Sequence, residues 1–115
     1  MSHSKTFLAL VNKAKQEIKE ITITDTKAKF EKKEDFVFVD TREDREWEKG
    51  SLPNAIHLGK GIIERDIEST VPDKNKCIIL YCGGGFRSAL AAQNLQLMGY
   101  TNVFSMAGGY REWNE

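Results

Sequence analysis

The run Cys77-Ile78-Ile79-Leu80-Tyr81-Cys82-Gly83-Gly84-Gly85-Phe86-Arg87-Ser88 passes from an apolar segment, through three glycines, into a segment of helix formers. Its first five residues are apolar and rich in β-branched side chains without alternation, the pattern of a parallel strand covered on both faces. Ser88 to Met98 is rich in helix formers, with Leu90, Leu95, Leu97 and Met98 as core candidates and Gly99 where a helix C-cap is expected. Cys82 is therefore expected at the carboxyl end of a buried strand, in a glycine loop that opens onto a helix N-terminus. Consecutive glycines let the backbone curl so that several amide N–H groups point at one atom. An anion there also faces the positive end of the helix dipole. Both effects favour the thiolate, which is the nucleophilic form of cysteine. Cys82 is thus the candidate nucleophile, and Gly83, Gly84, Gly85, Phe86, Arg87 and Ser88 form the candidate cradle around it. The plainer alternative is a flexible turn beside a small buried hydrophobe. Cys77 begins the strand with no glycine or helix directly after it, and it reads as structural.

Outward from this run, strands and helices alternate. Ser4 is suited to cap a helix reaching to about Glu20, with Phe7, Leu8, Val11, Ala14, Ile18 and Ile21 on one apolar face. Ile21-Thr22-Ile23 reads as a short strand, and a polar helix follows from Thr24 or Asp25 to about Lys33. Phe36 to Asp40 is a second strand, and Thr41 to Lys49 a helix ended by Gly50. Ala55 to Leu58 is a third strand, and Gly59 to Ser69 a helix or turn-rich crossover. A strand over 102–105 and a last helix from Gly108 complete the series. Alternation at this spacing predicts an α/β fold, with a parallel central sheet flanked by helices on both faces and an extra N-terminal helix. Active sites in such sheets lie beyond the carboxyl ends of the strands, where Asp40, Cys82 and Ala107-Gly108 all fall.

These residues resemble the single-domain type of the rhodanese (sulfurtransferase) family. Phe36 to Glu43 is similar to the family's strand followed by Asp-x-Arg-Glu. Trp47 to Ile56 resembles its aromatic-x-x-Gly-His-Ile-Pro-Gly-Ala-Ile segment, with Ser51 and Asn54 in place of the commoner His and Gly. Cys82 to Arg87 resembles the six-residue active-site loop, and Gly108-Gly109-Tyr110-Arg111-Glu112-Trp113 the terminal Gly-Gly-x-x-x-Trp. The resemblance covers roughly residues 21–115 as one domain and leaves 1–20 as a helical extension. It implies a small rhodanese-like domain in which Cys82 carries a sulfane sulfur as a persulfide. That sulfur comes from a donor such as thiosulfate or a persulfide and passes to a thiol, cyanide or protein acceptor. No cofactor or metal is implied, because the cysteine itself carries the sulfur. Thiosulfate-using relatives lead one to expect basic residues just after the cysteine, whereas Gly83 and Gly84 are neutral. Arg87 and Lys60 are the compensating cations in view.

Composition bounds the other classes. The 115 residues are 40% hydrophobic and 30% charged, with 17 basic residues against 17 acidic ones. That balance suggests neither nucleic acid nor a membrane surface as partner. No apolar run approaches the roughly 18 residues of a spanning helix. Met1-Ser2-His3-Ser4-Lys5 lacks a signal-peptide pattern, and two cysteines do not make a secreted disulfide framework. A cytoplasmic location is the expectation.

Around the loop, two roles fit Arg87. It can fold over an anion held by the loop, or it can pair with Asp40 or Glu43 and brace the loop. Asp40 and Arg42 read as supports of the site rather than as its chemistry. His57 reads as structural, His3 as part of a disordered end, Glu43 to Glu46 as a charged helix start, and Trp47 and Trp113 as core anchors. Two alternatives to sulfur transfer stand beside this reading. One is a cysteine-dependent phosphatase or arsenate-reductase-like enzyme, whose Cys-x-x-x-x-x-Arg loop is one residue longer. The other is a non-catalytic rhodanese module that binds a partner protein.

Overall fold

The computed structural model describes residues 3–115. Five strands, β1 (Lys19–Ile21), β2 (Val37–Asp40), β3 (Ile56–His57), β4 (Ile78–Tyr81) and β5 (Val103–Met106), make one wholly parallel sheet in the order β1-β5-β4-β2-β3. Six helices accompany them: α1 (Lys5–Glu17), α2 (Ile23–Glu31), α3 (Asp44–Glu48), α4 (Ile63–Thr70), α5 (Phe86–Leu97) and α6 (Gly109–Trp113). The α/β architecture expected from the sequence, N-terminal helix included, is what the chain adopts. No described helix is long and apolar enough to cross a membrane.

The unbroken apolar run of β4 faces two cores at once, because successive side chains point to opposite faces. Ile78 and Leu80 pack with Val39, Ile63, Ile67 and Leu95 beneath α4 and α5. Ile79 and Tyr81 pack with Phe38 and Met106 on the other face, where Phe30, Phe36, Tyr110 and Trp113 close the cluster. All four residues of β4 are fully buried. Register places Asp40 level with Tyr81, so the ends of β2 and β4 meet at one edge of the sheet.

Several expected boundaries shift, each for a local reason. The first strand is Lys19–Ile21 rather than 21–23, and residues 18–20 leave the helix. The cause is Thr22, whose hydroxyl accepts the Asp25 N–H at 3.0 Å and starts α2 at Ile23. Ser4 caps α1 as expected, accepting the Phe7 N–H at 3.1 Å. Residues 1 and 2 of the 1–20 extension lie outside the described residues. Leu97 is not core: it is 81% exposed, because it lies two positions from buried Leu95 on the helix and so points away from the sheet. The third strand shrinks to two residues and α3 to five, with Thr41 and Arg42 left in the connection before it.

Candidate active site

Cys82 follows the last residue of β4 and is almost wholly buried. Its Sγ accepts the Gly85 N–H at 3.0 Å and lies 3.6 Å from Ser88 Oγ. Ser88 Oγ is in turn 2.7 Å from Ser105 Oγ at the end of β5. Gly85 is the N-cap of α5 and has φ +97°, a left-handed conformation that glycine takes without strain. The chain therefore turns back on itself between strand and helix, and an amide of the turn points at the sulfur. The start of α5, with its positive dipole end, stands behind that amide. Cys77, by contrast, is half-buried at the far end of β4, where burial pushes its thiol pKa up. The two cysteines thus lie at opposite ends of one strand.

Below the loop, Asp40 and Arg42 form a buried bracket. Asp40 Oδ1 accepts the Arg42 backbone N–H at 2.8 Å, and its two oxygens take Arg42 Nε and Nη2 at 2.8–3.1 Å. The Tyr81 hydroxyl also donates to Asp40 Oδ2 at 2.8 Å and accepts the Leu52 N–H at 3.1 Å. Burial, together with that bond to Asp40, pushes the Tyr81 phenol well above its ordinary pKa and keeps it a donor. Arg42 reaches on to the Gly50 carbonyl at 2.6 Å, and its guanidinium lies 3.9 Å above the Tyr110 ring. Neither Asp40 nor Arg42 hydrogen-bonds Cys82. They lock the ends of β2 and β4 to the segment before β3 and to α6.

Gly109 is explained by how closely α6 meets the loop. Tyr110 N–H donates to the Cys82 carbonyl at 2.8 Å, and Arg111 N–H to the Gly83 carbonyl at 3.1 Å. Gly109 has φ +56°, and a Cβ there would overlap the Cys82 carbonyl oxygen and fall 2.9 Å from the Gly83 carbonyl carbon. Only glycine lets α6 dock this closely.

Arg87 takes neither of the partners expected for it. Its Nη1 and Nη2 donate to Glu46 Oε1 and Oε2 at 2.7 and 3.2 Å, a two-pronged pair with α3 rather than with Asp40 or Glu43. That pairing pulls the Glu46 carboxyl down to about 2. Glu46 Oε1 also accepts the Glu43 N–H at 3.0 Å, so one carboxylate caps α3 and anchors Arg87. His57 is turned away from the sulfur: Nε2 donates to the Arg42 carbonyl at 2.8 Å, and the ring stacks on Trp47 at 4.9 Å. Lys60 is drawn to Glu64 at 2.7 Å and lines a neighbouring cavity of about 660 Å³ that does not reach Cys82.

Cys82 opens instead into a smaller cavity of about 220 Å³. Gly84, Phe86, Arg87 and Arg111 line it, and α1 contributes Phe7 together with His3. Arg111 is the site residue that the sequence does not single out, since there it is only one position of the terminal motif. Its guanidinium lies over the loop, where a Cβ on Gly84 would meet Nη1 and Nη2 at 3.7 Å. A cation from α6 thus lies over positions 83 and 84, and the bare glycines leave room for it. The available signal was that Cys82 and Gly108 both closely follow parallel strands, which sets both turns at one edge of the sheet. His3 is not part of a loose end: its ring sits 4.9 Å from that of Phe86 and 5.1 Å from that of Phe7.

The family model for the rhodanese-like domain matches residues 22–115. Bacillus subtilis YtwF, provisionally named a sulfurtransferase, is 35% identical over 97 residues, spanning 84% of this chain and 91% of that protein. The thiosulfate sulfurtransferase GlpE of Coxiella burnetii is 34% identical over 82 residues, spanning 71% of this chain and 75% of its own length. Among solved structures, a Rhodopseudomonas palustris protein of unknown function, described as a possible tyrosine phosphatase, superimposes with a TM-score of 0.82 at 30% identity. That match covers 99% of this chain and 94% of the other.

Proposed function

The chain belongs to the rhodanese-like domain family, and on that premise we propose that it is a sulfurtransferase working by double displacement through a persulfide on Cys82. The observation that carries the proposal is the Cys82 sulfur itself, taking the Gly85 N–H at 3.0 Å at the floor of a cavity flanked by Arg87 and Arg111. In the first step the Cys82 thiolate attacks the outer sulfur of thiosulfate. The new Cys82 S–S bond forms as the donor's S–S bond breaks, and sulfite leaves with the electron pair. In the second, cyanide or a thiolate attacks the outer sulfur of the persulfide, and the Cys82 thiolate is released. Negative charge lies on or beside the sulfur throughout, so oriented amides and the helix dipole stabilise every state of the cycle. Ser88, backed by Ser105, can rotate its hydroxyl to donate to the charged sulfur.

Asp40 and Arg42 act as positioning residues in this reading, since they hold the loop without touching the sulfur. In this reading Arg87 serves both roles left open by the sequence: it braces α5 against α3 through Glu46, and as a lining residue of the cavity it offers a cation to the donor. Two free thiols suit a reducing compartment such as the cytoplasm.

The phosphatase reading has one observation in its favour, the likeness to the Rhodopseudomonas palustris protein described as a possible tyrosine phosphatase. Against it stands the loop, with four residues between Cys82 and Arg87, one fewer than cysteine phosphatases use to enclose a tetrahedral phosphate. A paired assay separates the two. Thiocyanate formation from thiosulfate and cyanide, abolished by Cys82→Ser, is expected, with no hydrolysis of an aryl phosphate. Robust aryl phosphate hydrolysis lost with Cys82→Ser would overturn the proposal.

A further inference from the structure

Behind the Cys82 sulfur runs a chain of two buried hydroxyls whose protons have few places to go. Sγ is 3.6 Å from Ser88 Oγ, and Ser88 Oγ is 2.7 Å from Ser105 Oγ, with both serines fully buried. Among the described residues the other four buried hydroxyls, those of Thr26, Thr41, Tyr81 and Tyr100, each donate to a backbone carbonyl or to the Asp40 carboxylate at 2.6–2.9 Å. Ser88 and Ser105 reach no carbonyl or carboxylate among those residues. Ser105 Oγ has Ser88 Oγ as its one partner there, so its buried O–H is satisfied only by donating to Ser88. Ser88 then accepts, and its own proton has one place left to go, the sulfur. The Gly85 N–H meets the same sulfur at 3.0 Å. Sγ thus faces two donors and no acceptor.

We propose that Ser105 is a positioning residue: donating from β5 to Ser88, it aims the Ser88 hydroxyl at Cys82 and suits the site to a sulfur that carries no proton. The catalytic consequence rests on the sulfurtransferase reading. Two forms of Cys82 fit: the thiolate, and the inner sulfur of the persulfide, which is bonded to Cβ and to the outer sulfur. In both, two serine protons fill two links, Ser105 to Ser88 and Ser88 to Sγ. The thiol brings a third proton to the same two links and leaves one buried proton unpaired, which favours its release to solvent. Neither serine gains or loses a proton, so the chain keeps one direction through both displacements. Arg87, Arg111 and His3 also line the cavity into which the sulfur opens. Their charges are common to the parent and to serine variants, so a difference between those proteins reports the hydroxyls.

The test follows alkylation of Cys82 by iodoacetamide, an uncharged reagent, across pH on the full chain, with peptide mapping to separate Cys82 from Cys77. Ser105→Ala should move the half-maximal rate to higher pH by about one unit, which is about a tenfold loss of rate on the acid side. The rate at high pH should be no lower, since a more basic thiolate is at least as nucleophilic. Ser88→Ala should move the profile at least as far. Adding Ser105→Ala to Ser88→Ala should move it no further, because Ser105 acts only through Ser88. Ser105→Thr, which keeps the hydroxyl, should stay with the parent. Urea unfolding checks that each variant is folded. An unmoved profile in folded Ser105→Ala, or an equal shift when Ser88 is already alanine, overturns the inference. Intact mass after thiosulfate separates this failure from the other. A parent that loads one sulfur, with an unmoved Ser105→Ala profile, removes the role of Ser105 and leaves the sulfurtransferase reading standing. A moved profile in a chain that loads no sulfur keeps the role of Ser105 and overturns that reading.

Discussion

Arg87 of α5 and Glu46 of α3 form a two-pronged ion pair, 2.7 Å at its shorter arm, that ties the cradle helix to the segment following β2. Glu46 titrates at about 2 instead of 4.5, because Arg87 holds its charged form. A carboxyl pKa lowered in the folded state adds stability above the ordinary value, and that stability is lost as pH falls through the folded one. The pair's contribution is therefore complete at pH 6 and fades between about 4.5 and 2. Both side chains are about one-third exposed, so solvent screening limits the effect to about 1 kcal/mol. Glu46→Gln should unfold at lower urea at pH 6 by that amount, and the two proteins should converge near pH 2. A gap that is unchanged with pH would refute the role given to the pair.

Asp40→Asn should be far more costly. Asp40 is fully buried and receives Arg42 and the Tyr81 hydroxyl. The amide leaves the Arg42 charge inside the protein without its counter-charge, a loss on the order of 3–5 kcal/mol. Urea unfolding at neutral pH measures it. A loss below about 1 kcal/mol would mean that the bracket does not hold the edge together.

Two glycines make a matched pair for backbone fit. Gly109→Ala forces a methyl into the Cys82 and Gly83 carbonyls at φ +56° and should cost about 3 kcal/mol or more. Gly61→Ala meets nothing within 4 Å and should stay within about 0.5 kcal/mol of the parent. Equal stability of the two variants by thermal or urea unfolding would contradict the docking of α6 described above.

The sheet and the Cys82 loop were legible in the sequence because their signals are local. β4 is one apolar run, the glycines sit beside the cysteine, and a helix follows at once. Asp40 at the site edge was legible as a strand end. What escaped notice depends on contacts between distant segments. Glu46 as the partner of Arg87 lies 41 residues away on a short helix whose charges look like ordinary dipole complement. Arg111 is one position of a terminal motif, and nothing local shows that α6 lies against the glycine loop. The place of Phe7 in the Cys82 cavity escaped for the same reason: Phe7 satisfies the periodicity of an apolar helix face, and only the packing of α1 on α5 brings it to the cavity. The boundary error at Thr22 was local, where a cap outweighed the β-propensity of Ile23.

Cys77 and Cys82 should separate cleanly in function. Cys77 is half-buried and its thiol is pushed up by burial, whereas the Cys82 sulfur already takes an amide N–H. Cys77→Ser should keep most sulfur transfer and lose about 1 kcal/mol of stability, from a hydroxyl placed in partly apolar surroundings. Thiocyanate formation and urea unfolding of that variant check both parts. A Cys77→Ser protein that folds but is inactive would reverse the assignment.

The most direct measurement is the mass of the intact protein after incubation with thiosulfate and removal of excess donor, followed by peptide mapping of the gain. One added sulfur atom is expected, located on the peptide that contains Cys82, removed by cyanide and absent from Cys82→Ser. No gain in mass, or a sulfur carried by Cys77, would contradict a persulfide mechanism at Cys82.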